Sequence, residues 1–290
     1  MIALALLFGT LRTATPLLLA GLGGMFSERG GVVNIALEGI LLVGAFAAAA
    51  ATAFTGSATI GLMAALFAGM LLALLHAVAT LWIGVDQIVS GVALNLLALG
   101  LTEFLMWVFF GSGSNSPRLE FDVPSGFLGR VFTELPPLTL FALAAVPLSA
   151  LLLFRTRFGL RLRSVGEHPE AAASLGINVL RMRLWGVLLS GALAGLGGAF
   201  LSLNAHYFVK NMSAGRGFIA LAALIFGKWK PWGLLVATLL FGFAEALQGH
   251  LHVPWLPVRF VQMLPYLLTM IALVGVIGKS RAPAALGKKL

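Results

Sequence analysis

The stretch GILLVGAFAAAAATAFTGSATIGLMAALFAGMLLALLHAVATLWIGV, residues 39–85, lies between Glu38 and Asp86 and holds no charged side chain in 47 residues. A single turn, Thr55-Gly56-Ser57, divides it into two apolar runs. Each run is close to the ~20 residues a helix needs to cross the hydrocarbon core of a bilayer. Soluble domains keep about 25% charged residues. This chain of 290 residues keeps 10%, with 60% hydrophobic residues and a mean hydropathy of +1.01. The chain reads as an all-α polytopic membrane protein.

Outward from that stretch, runs bounded by charges or turn residues predict further spans. With edges good to about three residues, the full set is 4–25, 32–54, 59–82, 87–110, 138–154, 184–205, 232–248 and 260–278. Phe218–Phe226 is too short to cross alone and reads as a broken or re-entrant segment, because irregular backbone at membrane depth survives only inside protein or beside water. The expectation is one transmembrane domain over 1–290, with about eight transmembrane helices and one broken piece. Its connections are a loop at 111–137, a basic loop at 155–183 and a tail at 279–290.

The net charge of +9 does not mark a nucleic-acid binder, because the cations are scattered through short loops beside apolar spans. Arg155, Arg157, Arg161, Arg163, Arg181 and Arg183 put the 155–183 loop on the cytosolic side, and Lys279, Arg281, Lys288 and Lys289 put the tail there. Glu120, Asp122 and Glu134 leave the 111–137 loop outside. The absence of cysteine excludes disulfides, thiolate metal sites and thiol catalysis. No basic residue precedes the first apolar run, so that run reads as structure and not as a cleaved signal.

Two segments echo one another. Pro16–Phe26 is PLLLAGLGGMF and Ser190–Phe200 is SGALAGLGGAF, alike at seven of eleven positions. Small residues at such spacing let helices approach at backbone contact, and duplicated halves are a common transporter plan. A composition so rich in Ala, Gly and Leu also yields such matches by chance.

Chemistry must reside in the few polar residues within the spans, since an ionisable group in a membrane needs a cavity or a partner. Asn34 and Glu38, four apart, are expected on one face of the second span. Gln87, Ser90 and Asn95 begin the fourth. Both sets fit the lining of a solute pathway or a polar clamp between helices. Glu103 and Glu245 are the other intramembrane acids, and His76 reads as a packed histidine. No His/Asp/Glu set has metal-ligand spacing, so no metal or cofactor is expected. Gly278-Lys279-Ser280 lacks the glycine a phosphate loop needs at position 273, which is Leu. ATP hydrolysis is therefore expected only in a partner, and the chain itself is not expected to be an enzyme.

The 155–183 loop holds the most informative hydrophilic stretch. Ser164–Pro169 is expected to form a turn, with Pro169 starting a helix that Glu170 suits at its first turn and Gly176 ends. The small residues Ala171, Ala172 and Ala173 would let another surface press against it.

Glu170, Ala171, Ala172 and Gly176 resemble the coupling-loop motif of permease subunits in ATP-binding-cassette importers. Residues 26–39, 87–95, 158–169, 214–223 and 263–268 are similar to segments of the simple-sugar and nucleoside branch, related to ribose and branched-chain amino acid permeases. The resemblance implies a permease subunit forming a pathway for a nucleoside or simple sugar. It implies an ATPase subunit docked at Gly166, Glu167, Glu170, Ala171, Ala172 and Gly176, a second permease homologue and an extracytoplasmic solute-binding protein. It further implies residence in a bacterial or archaeal cytoplasmic (inner) membrane. The alternative class is an ion-coupled secondary transporter relaying protons through Glu38, Glu103 and Glu245.

Overall fold

A computed structural model describes residues 2–121, 136–250 and 281–288. Helix α1 (Ile2–Arg29) runs through Pro16 and reaches four residues beyond the expected edge. The chain then leaves helix over residues 30–36. Gly31 sits there at φ +90°, a conformation open to glycine and costly for other residues. Helix α2 (Leu37–Thr55) therefore starts later than the apolar run does. It closes on Gly56, whose N–H donates to the Thr52 carbonyl.

Ser57 caps α3 (Ala58–Ala77), which continues into a π turn over Val78–Trp82. Asp86 caps α4 (Gln87–Phe110) by accepting from the Ile88 and Val89 N–H groups. After the 111–137 loop come α5 (Pro137–Arg155), α6 (Arg157–Glu167), the short α7 (Pro169–Ser174) and α8 (Val179–Ala205). Helices α9 (Arg216–Phe226) and α10 (Pro231–His250) complete the described set. Seven helices of the described residues are long and apolar enough to span a membrane, and α9 is the short one. The expected last span at 260–278 and most of the 111–137 loop fall outside the described residues.

Helix α8 is the hub, packed on α1, α2 and α3. The contacts are made backbone to backbone. A Cβ on Gly44 would lie 2.4 Å from the Gly195 carbonyl oxygen, and one on Gly69 would lie 2.3 Å from that of Gly191. Glycine here gives up side-chain burial to let helices touch, the usual currency of helix association in lipid. The outer faces of α3 and α4 carry exposed Phe67, Leu71, Leu96, Phe104 and Trp107, which suits lipid.

The echoing segments lie against each other, and reciprocally. Gly23 of α1 abuts the Ser190 carbonyl, while Gly197 of α8 abuts the Pro16 carbonyl. In the eleven-residue alignment Gly23 corresponds to Gly197, and Pro16 to Ser190. The next glycines follow in part: Gly24 faces Leu37 of α2 most closely and then Leu224 and Leu221 of α9, and Gly198 faces Leu41 and Ala45 of α2. Each echo thus packs against the helix that follows the other.

Candidate functional site

The irregular strip after α1 is held by side chains from two spans. The Gln87 side-chain oxygen accepts from the Val33 N–H at 2.7 Å. Asn95 uses both ends of its amide, accepting from the Gly39 N–H at 2.8 Å and donating to the Ile35 carbonyl at 3.0 Å. His76 of α3 lies 3.0 Å from the Val33 carbonyl through Nε2 and 3.0 Å from the Ser90 hydroxyl through Nδ1. A carbonyl can only accept, so Nε2 carries a proton, while Nδ1 shares a hydrogen bond with the Ser90 hydroxyl. Gln87, Ser90, Asn95 and His76 are all buried. They do for the broken backbone what a regular helix would do for itself.

Asn34 belongs to that strip and not to α2, which corrects the expectation that it shares a helical face with Glu38. The four-residue spacing has no helical meaning where residues 32–34 are not helical. Asn34 is fully buried, its Nδ2 donates to the Ser190 hydroxyl at 2.8 Å, and its Oδ1 has no partner.

Glu38 faces elsewhere. Its two carboxylate oxygens accept from the Gly215 and Gly217 N–H groups, each at 2.7 Å. It thereby caps α9 from another helix, satisfying donors that a helix start leaves open and placing negative charge at the positive end of the dipole. A Cβ on Gly217 would lie 2.4 Å from the Glu38 nitrogen, so the starts of α2 and α9 meet at backbone contact. Beside this junction Arg216 pairs with Glu245 of α10 at 2.7 Å. Farther out, Lys210 pairs with Glu103, and residues 114–119 bond to 206–210.

The opposite end of α9 is tied to the end of α1. The buried Glu28 carboxylate accepts from the Trp229 indole at 2.6 Å, and Arg29 donates to the Trp229 carbonyl at 3.1 and 2.8 Å. Arg29 and Arg163 both lie over the Phe154 ring, at 5.8 and 4.8 Å.

Ser164–Pro169 is not the expected turn. Thr156 caps a helix that runs through Glu167, because Phe158, Leu162 and Val165 share one face and dock on the core. Gly166 fits so closely that a Cβ there would lie 2.1 Å from the Arg29 carbonyl oxygen. Helix α7 follows, with Ala172 buried and Glu170, Ala171 and Leu175 exposed, Leu175 at 81%. Gly176 ends it at φ +78°, with its N–H donating to the Ala173 carbonyl.

Three features of this end were not legible as residue patterns. Residues 283–288 return to it: the Ala285 N–H donates to the Gly166 carbonyl, the Gly287 N–H to the Gly31 carbonyl and the Ala284 N–H to Glu167. Arg183, expected as a loop cation, is buried inside α8 and donates to the Lys288 carbonyl. Glu28 and Arg29, expected beyond the first span, are its anchor. Arg216 was also missed, although a cation between two glycines just before a short apolar helix was a signal. Among the described residues no group of His, Asp and Glu is arranged to hold a metal ion.

Residues 6–273 match the family described as branched-chain amino acid transport system / permease component. The guanosine ABC transporter permease protein NupQ of Bacillus subtilis is 44% identical, over 96% of this chain and 93% of that one. The nucleoside ABC transporter permease protein NupC of Lactococcus lactis is 43% identical, over 94% and 92%. Bacillus subtilis also has a second guanosine permease protein, NupP, 30% identical over 84% of this chain and 73% of that one. Among solved structures, an inward-facing ABC transporter assigned to the metal-chelate type matches with a TM-score of 0.52 at 16% identity. The match covers 93% of this chain and 85% of that one.

Proposed function

Because the chain belongs to the permease-component family of branched-chain amino acid transport systems, we propose that it forms the pathway by which a nucleoside enters a cell. It is a multi-pass membrane protein and the membrane-spanning permease subunit of an ATP-binding-cassette transporter. Nucleoside is the substrate class we favour, because relatives named for guanosine and nucleosides align over nearly the whole chain. A simple sugar is the other class consistent with the resemblance of its motifs.

The observation that carries the mechanism is the exposed, short α7 on a closely packed base. Glu170, Ala171 and Leu175 face outward where an ATPase subunit would seat them. Gly166 and Glu167 lie in the base, in contact with the end of α1 and residues 284–285. Closure of the ATPase on ATP would push α7 and α6 against Arg29 and Gly31. That push reaches the strip held by Gln87, Ser90 and Asn95, and then Asn34 and Glu38 at the start of α2. Movement there opens the pathway toward one side of the membrane or the other. Nucleotide chemistry stays in the partner.

The remaining assembly is a second permease, most simply a homologue, since Bacillus subtilis has two guanosine permease proteins similar to this chain, and an extracytoplasmic binding protein that loads the outer face. The membrane is the cytoplasmic one of a bacterium or archaeon. Mild detergent extraction followed by affinity purification tests this reading: an ATPase and a second permease co-purify, and the reconstituted complex takes up radiolabelled guanosine in an ATP-dependent way. Uptake by the chain alone, collapsed by an uncoupler, would overturn it in favour of ion coupling.

A further inference from the structure

Arg216 stands where local electrostatics disfavour it. It is the first residue of α9, and a cation at the positive end of a helix dipole is destabilised. It also stands deep. Helix α9 is 11 residues long, about 16 Å at 1.5 Å per residue. Its far end is tied through Trp229 to Glu28 and Arg29, at the end of the molecule that carries the basic loop. With α9 taken along the membrane normal, Arg216 falls within a hydrocarbon core that is about 30 Å thick. Glu245 meets it from α10 at 2.7 Å, and the two side chains keep 26% and 32% of their surface open. A charged pair with open surface within that core cannot face lipid tails, so its open side is turned to a polar space or to the second permease across it.

The neighbours sharpen this. Glu38 is fully engaged with α9 backbone, and Gln87 and Asn95 are buried and committed to the 33–39 strip, leaving little to offer a passing molecule. Ser213, one turn before Arg216, has a fully buried hydroxyl with no partner. The Lys210–Glu103 pair, 53% and 48% open, lies farther out; beside the junction of α2 and α9 it is Arg216 and Glu245 that combine strong hydrogen-bonding capacity with open surface. Together they present a fork of donors beside a pair of acceptors. That set complements a neutral solute carrying vicinal hydroxyls, which donate to the carboxylate, and a carbonyl or ring-nitrogen acceptor, which receives from the guanidinium.

We infer that Arg216 and Glu245 form the solute-contacting station of the pathway, the carboxylate reading a vicinal diol and the guanidinium an acceptor edge of the same molecule. Ribose of a nucleoside and a hexose both offer the diol, and only a nucleobase offers the planar acceptor edge. This rests on the permease reading above.

The test uses the complete reconstituted complex with saturating binding protein loaded with guanosine, 2′,3′-dideoxyguanosine or glucose. Glu245→Gln should assemble and hydrolyse ATP when the loaded binding protein docks. Its guanosine uptake should fall at least about tenfold, as expected for loss of a charge-assisted hydrogen bond. Its preference for guanosine over the dideoxy analogue should shrink toward unity. Photolabelling by 8-azidoguanosine should mark the 212–217 or 242–248 peptide and be competed by guanosine but not by the dideoxy form. The charge-swapped Arg216→Glu/Glu245→Arg chain separates a contact from a mere structural pair. It should assemble but stay defective in transport, and restoration of wild-type uptake would overturn the inference. Wild-type preference in Glu245→Gln would also overturn it. If the wild-type complex takes up glucose and not guanosine, the diol contact stands and the nucleobase contact falls. A wild-type complex that never recruits an ATPase sinks the permease reading itself, an outcome distinct from these.

Discussion

Asn95 shows how a single side chain can substitute for a missing turn of helix. Its amide supplies one acceptor and one donor to backbone groups of Gly39 and Ile35, which the strip's irregular path leaves without helical partners. Asn95→Leu keeps the size and removes both bonds. An unsatisfied buried group costs about 1–3 kcal/mol, so this change should lower the thermal midpoint of the detergent-solubilised complex and abolish uptake. Asn95→Asp retains the acceptor for Gly39 and should fall between the leucine variant and wild type. An unchanged midpoint in Asn95→Leu would show that the strip stands without it. Glu38 acts on the same scale through charge. In Glu38→Gln one of two oxygens becomes an N–H donor facing another N–H, at Gly215 or Gly217. The cap should weaken by about 1–2 kcal/mol, and amide exchange at the start of α9 should quicken.

Among elements, α6, α7 and the 283–288 segment behave as one part. Glu170 occupies the first turn of α7, where its charge suits the helix start, and its side chain is exposed. Glu170→Arg reverses that charge outside the membrane, so the chain should insert normally while uptake disappears. Uptake at the wild-type rate would remove α7 from the coupling path. Deleting residues 283–290 should leave insertion and ATPase recruitment intact, yet lower the uptake obtained per ATP hydrolysed. The reason is mechanical: the segment bonds to Gly166 and Gly31 at once, bridging the coupling helices to the break after α1. If that ratio does not change on deletion, the bridge carries no force.

For the molecule as a whole, the distribution of Lys and Arg predicts the basic 155–183 loop on the cytosolic side and the 111–137 loop on the other. The absence of cysteine makes this directly measurable. A membrane-impermeant maleimide should label Ser114→Cys in intact cells and Ser174→Cys only in inside-out vesicles. The reverse pattern would invert the topology and with it every functional role assigned here. The packing of α1, α2, α3 and α8 at glycine contacts also sets how the whole can move. Bundles touching at backbone distance rock as units, because no flexible side-chain layer lies between them.

Much of this was legible in order along the chain. Hydropathy is a local property, so the seven described spans, the short α9 and the Gly176 stop follow from residues near each other in sequence. The echo at 16–26 and 190–200 was also visible, but not that the two copies face one another. The clamp on residues 33–39, the capping of α9 by Glu38 and the return of residues 283–288 depend on contacts across long separations, and backbone groups supply many of the partners. Every residue carries the same N–H and C=O, so no side-chain pattern announces which of them a distant Asn, Gln or Glu will find. Composition therefore fixed that this chain lives in a bilayer and roughly how often it crosses. Only the meeting of particular helices decided where its polar residues brace the fold and where they keep open surface.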